Sequence, residues 1–152
     1  MINCDDSSES YVGPSPADFA SAGREIQNRR RVGSTIVARR AFKEYFGICP
    51  TIVCLIWKLL ANNDLLPEKA QIKHLLWALF FMKVYPKQGP ACSVVGGSNG
   101  AVDPKTFGKW VWMFIQAIAN LEPVVVSFLF SLSVQSSSTK SESHSQDSFQ
   151  QD

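Results

Sequence analysis

The chain has 152 residues, 45% of them apolar, and 15 Lys+Arg against 13 Asp+Glu give a net charge of +2. That length fits one domain with tails, and four tryptophans and ten phenylalanines are enough to fill its core. The opening "MINCDDSSES" is acidic and polar where a secretion signal is basic and then apolar. A secreted disulfide scaffold is therefore not expected, and Cys4, Cys49, Cys54 and Cys92 read as reduced thiols of an intracellular, nuclear or cytoplasmic protein.

Residues 1–15 carry little apolar content and are expected to be disordered. A first helix is expected from about Pro16 into a run of arginines, with a break near Gly33. Between Arg24 and Lys43 stand seven basic residues (Arg24, Arg29, Arg30, Arg31, Arg39, Arg40 and Lys43) against one acid, Glu25. Such a block points to a polyanionic partner or a localisation signal, with a solvated helix face as the plain alternative.

The next helix takes Ser34 as N-cap and runs to Phe46, ending at Gly47. Its expected apolar face is Ile36/Val37, Phe42 or Ala41, and Tyr45. A third begins at Pro50, a good first helical position, and presents Ile52, Leu55/Ile56 and Leu59/Leu60. The fourth covers about Glu68 to Tyr85. It is apolar nearly all round from His74 to Met82, which places it centrally with neighbours on several sides. Pro86 ends it.

Gly89 to Val95 reads as a short helix and "GGSNG" as a turn. Asp103-Pro104 then supplies an N-cap and a proline at the first helical position. Phe107, Trp110/Val111, Phe114, Ile118 and Leu121 form one apolar face of the helix that follows. Lys105 and Lys109, four apart, share the opposite side, with Thr106 beside them. Trp112 and Met113 lie off the apolar face and need another contact.

The expected class is all-α. It is a helical bundle spanning 16–126, with a trihelical helix-turn-helix-like unit over about 68–121 and a low-complexity, largely disordered tail at 127–152. Pro123 is expected to break the apolar run after Trp110. The clean stretch Val124 to Val134 is too short to span a bilayer, so no membrane partner is expected.

In trihelical units the last helix enters the major groove by its N-terminal residues while the rest of it packs on the core. Cationic and hydroxyl side chains at that tip suit phosphates and base edges. The candidate DNA contacts are therefore Asp103, Lys105, Thr106 and Lys109. Arg29, Arg30, Arg31, Arg39 and Arg40 are candidates for holding backbone.

The pieces "HLLWAL-F-K-Y" and "VDPKTF-KWVW-FI-AIA-LEP", with the earlier "FKEYFGICPTIVCLIWKLL", resemble the region before the catalytic core in transposase-derived DDE superfamily endonucleases of the harbinger-like group. The likeness covers about Phe42 to Pro123. It implies a DNA-binding region that would feed an RNase H-like nuclease domain holding three acids and two divalent metals. The likeness stops near Val125, and the later acids Glu142, Asp147 and Asp152 sit in the polar tail. No catalytic residue, metal or cofactor is carried over, and the chain is expected to be a truncated, non-enzymatic remnant. Gly108 departs from the basic residue usual in similar sequences.

Two other readings compete. One is a helical protein-interaction module that self-associates through exposed aromatics among Trp57, Trp77, Trp110 and Trp112. The other is an enzyme pairing His74 with Cys92 or Cys54, although a lone histidine on an apolar helix is more often structural. The DNA-binding reading calls for no small-molecule substrate.

Overall fold

The computed structural model describes residues 12–28 and 34–138, and among them only helices and turns occur. The helices are α1 (Pro16–Ile26), α2 (Thr35–Phe46), α3 (Pro50–Asn62), α4 (Ile72–Val84), α5 (Gln88–Val95), α6 (Pro104–Ala119) and α7 (Glu122–Ser138), with a 3-10 turn at Gly97–Asn99. The class is all-α.

Local chemistry sets most boundaries. Ser15 and Asp18 form a reciprocal capping box at the start of α1, and the Ser15 amide donates to the Asp18 carboxylate at 2.7 Å. Ser34 caps α2, which ends at Gly47 with φ +88. That left-handed end is the usual glycine solution. Residues 29–33 lie outside the described residues, so the expected break near Gly33 has no structural counterpart here.

α4 is the central helix. His74 through Phe80 are all buried, and α1, α2 and α6 pack around it, with α6 making the broadest contact. The apolar-all-round sequence of α4 requires this enclosure. An aromatic chain crosses the core: Phe19 meets Trp57 edge-on at 5.9 Å, and Trp57 stacks on Phe114 at 6.2 Å.

Three expectations need correction. In α3 the buried residues are Pro50, Val53, Cys54, Trp57 and Leu60, while Ile52 and Leu55 face outward. Thr51, Lys58 and Asn62 share one side at helical spacing and carry Leu55 outward with them, so the inward face is the opposite one, with Val53, Trp57 and Leu60. In α2 the buried pair is Phe42 and Phe46, and Ile36 and Val37 are exposed. Phe42 packs in the space left by Gly23 of α1, where even a Cβ would meet the Phe42 ring.

The third correction concerns the C-terminal part. The chain is helical through Ser138, where the sequence reading began a disordered tail at 127. Pro123 is the second residue of α7 and, having no amide to donate, is tolerated there. The helical run Pro104–Gln135 is long and apolar enough, by length and composition, to cross a membrane. Its first half, however, is core: Phe107, Val111, Phe114, Ala117 and Leu121 are buried.

Candidate nucleic-acid interface

The interface candidates are built on α4, α5 and α6. Asp103 caps α6 in the manner its sequence demands. Its carboxylate accepts from the Thr106 amide at 3.0 Å and from the Thr106 hydroxyl at 3.1 Å. Pro104 occupies the first turn, and the Phe107 amide donates to the Asp103 carbonyl at 2.9 Å. Behind this cap the apolar face is Phe107, Val111, Phe114, Ala117 and Leu121, with Trp110 and Ile118 half-buried.

Lys105, Thr106 and Lys109 are exposed at the tip. Lys109 Nζ lies 5.9 Å over the Trp110 ring, an arrangement that holds its charge near the helix surface. The cap bonds occupy the Asp103 carboxylate and the Thr106 hydroxyl toward each other. Their first role is thus to start the helix, and the lysines are the freer groups.

The connection from α5 to α6 is longer than the three or four residues of a simple helix-turn-helix. It occupies Gly96 to Asp103 and is tied down by the Val102 amide donating to the Cys92 carbonyl at 3.0 Å. Glycine is required at two places. A Cβ at Gly96 would fall on the Gly100 carbonyl, and Gly97, at φ +56, lies against the Glu25 carbonyl of α1, 2.5 Å from where a Cβ would be. The "GGSNG" turn therefore presses onto the end of α1.

That contact places the end of α1, with Glu25, near the α6 tip. A cleft of about 410 Å³ lies between them, with Glu25, Lys73, His74, Asn99, Gly100 and Thr106 among its lining residues. Arg29, Arg30 and Arg31 follow α1 but lie outside the described residues. Arg39 and Arg40 are exposed on α2. Arg39 shares a shallow groove of about 220 Å³ with Arg24, between α1 and α2. α2 packs on α1, α3 and α4, so these two arginines sit on a different part of the bundle from the α6 tip. The structure gathers Asp103, Lys105, Thr106 and Lys109 and leaves Arg39 and Arg40 apart from them.

Lys73 joins the candidate surface without having been singled out in the sequence. It lies in the first turn of α4, lines the cleft and stands 5.8 Å over the Trp77 ring. Only the cleft, formed by residues far apart in sequence, reveals it. Gly108 is half-buried, and a side chain there would approach the Gln88 amide nitrogen at 3.1 Å. A basic residue at 108 would have to displace that flexible end.

His74 is held structurally. Its ring stacks on Trp110 at 3.9 Å and 10°, and its Nδ1 accepts from the Gln71 amide at 3.1 Å. Burial, and then the neighbouring Lys73 charge, push its pKa down to about 4. Cys54 donates to the Pro14 carbonyl at 3.3 Å, and burial raises the Cys92 thiol. The hydrogen bonds and ring contacts made by His74 and Cys54 go to other groups and form no thiol–imidazole pair. Trp57 and Trp77 are buried and Trp110 is half-buried, so Trp112 is the one of the four candidate tryptophans that is largely exposed.

Comparison with protein-family models, curated proteins and solved structures returned no match.

Proposed function

We propose that this chain is a DNA-binding helical region of a transposase-like protein, acting through the N-terminal tip of α6 and without nuclease chemistry of its own. The observation that carries the reading is the division of α6. Lys105, Thr106 and Lys109 are exposed at its tip, while Phe107, Val111 and Phe114 behind them are buried against α4 and α3. A helix divided in this way can enter a groove by its first turn without exposing core.

The lysines supply phosphate contacts, and the helix dipole adds a favourable potential for an anion, although Pro104 has no amide and that of Thr106 already donates to Asp103. The Asp103 carboxylate opposes that potential. It is engaged by Thr106, and this hydrogen-bonded pair is suited to reading a base edge rather than a phosphate. Lys73 extends the cationic surface along the cleft. Arg39 and Arg40, set apart on α2, would reach backbone only where the duplex extends beyond the α6 site.

Fluorescence anisotropy with a labelled duplex across a salt series tests the reading. The double variant Lys105→Ala/Lys109→Ala removes two phosphate contacts. The slope of log affinity against log salt is expected to flatten by about 1.8. Arg39→Ala/Arg40→Ala is expected to have the smaller effect on a short duplex. An unchanged slope in the lysine variant would refute the assignment.

A further inference from the structure

α7 is bare on more than one side. Val125, Val126, Phe128, Leu129, Phe130 and Leu132 are 40% to 71% exposed, and no charged residue lies between Glu122 and Lys140. Val125, Phe128, Leu129 and Leu132 follow the spacing that shares one helix side. Val126 and Phe130, four apart, lie on another. Side chains of these sizes present roughly 150–200 Å² each when free, so the six leave roughly 600 Å² of apolar surface.

A second apolar surface lies on the bundle itself. Trp112 and Tyr85 are 59% and 79% exposed. The Phe81 ring links them, 6.4 Å from Trp112 and 5.6 Å from Tyr85. Bare apolar surface beyond a few hundred Å² marks an interaction site. α7 alone supplies most of the about 800 Å² that a standard interface takes from each partner, and the Phe81–Tyr85–Trp112 surface adds to the apolar area left bare.

We propose that a second copy of this chain covers these surfaces, with α7 of each copy forming the shared core of a two-fold dimer. In such a pair each copy offers and receives the same α7 patch. A bilayer fits less well. The uninterrupted apolar run Val124 to Val134 is about 17 Å of helix against roughly 30 Å of hydrocarbon. Extending it backwards would bring Glu122 into the lipid and draw Leu121 and Ala117 out of the core. The inference does not depend on the DNA reading.

Sedimentation equilibrium of the full chain tests it, beside Phe128→Glu and Phe130→Glu, with circular dichroism as the check on folding. A discrete species of twice the 16.9 kDa chain mass is expected. Phe128→Glu should weaken association by at least about 30-fold, as removal of a central aromatic contact does. A folded monomer at high concentration would overturn the proposal. So would open-ended association insensitive to both variants, or transfer of the monomer onto phosphatidylcholine vesicles. Should the glutamate variants lose helicity, cysteines placed singly at 125, 128, 129 and 132 decide the matter. At least one must form an interchain disulfide that the native chain, with its own Cys4, Cys49, Cys54 and Cys92, does not, and none doing so overturns the dimer.

Discussion

Acid should weaken this fold through His74. The imidazole is buried, stacked on Trp110 and accepting from the Gln71 amide. Protonating Nδ1 would break that bond and charge a desolvated ring beside Lys73, which is why its pKa falls from 6.5 to about 4. The neutral form is therefore the one that the native state prefers. Its stabilising contribution is complete above the unfolded value of about 6.5 and is lost as pH falls toward 4. The linkage relation gives a loss of about 1.4 kcal/mol at about pH 5.5 and about 3 kcal/mol at about pH 4. Carboxylates titrate in the same range, so the measurement is a difference. Urea unfolding followed by tryptophan fluorescence is run on the native chain and on His74→Phe, which keeps a flat ring but cannot ionise. The native chain should lose the stated amounts relative to the variant between about pH 7 and pH 4. Parallel pH profiles for the two proteins, or a His74 NMR titration near 6.5, would refute the reasoning.

Other outcomes follow from the packing and the turns. Phe114→Ala removes a fully buried ring stacked on Trp57 and should cost about 3–5 kcal/mol in denaturant unfolding. Gly97→Ala, at positive φ and against the Glu25 carbonyl, should cost at least about 1–3 kcal/mol. Gly89→Ala, with open space around it, should be neutral or stabilise by up to about 1 kcal/mol. Cys49 should alkylate faster than Cys92. The Ile52 and Thr51 amides at the start of α3 and the Arg39 charge lower its pKa against an opposing burial effect, whereas burial raises that of Cys92. Arg39→Ala should slow the Cys49 reaction, and equal rates at the two thiols would contradict the assignment.

The parts of the fold legible in the sequence are those fixed by short-range chemistry. Ser34 and Gly47 bracket α2, and Asp103-Pro104 opens α6, because caps depend on one or two residues and their own backbone. The central place of α4 followed from a segment with no polar side. The inward face of α3 is legible too, but from its polar residues: Thr51, Lys58 and Asn62 mark the outward side, and a face drawn through the apolar Ile52 and Leu55 alone misses it. α7 was missed because a proline was read as a stop where it is part of a start. Within the candidate site, Lys105, Thr106 and Lys109 were visible as one side of an amphipathic helix. Lys73 was not, because it reaches the tip only across a cleft built from α1, α4 and the "GGSNG" turn. The separation of Arg39 and Arg40 from the α6 tip was likewise a matter of packing, which a basic run in sequence does not encode.

The most direct measurement is an NMR titration of the isotope-labelled chain with a short duplex at low salt, reading which backbone amides move. The account expects the largest shifts at residues 97–109 and around Lys73, fading as salt is raised. Shifts confined to the α1–α2 groove, or none at low salt, would contradict a DNA-binding role for α6.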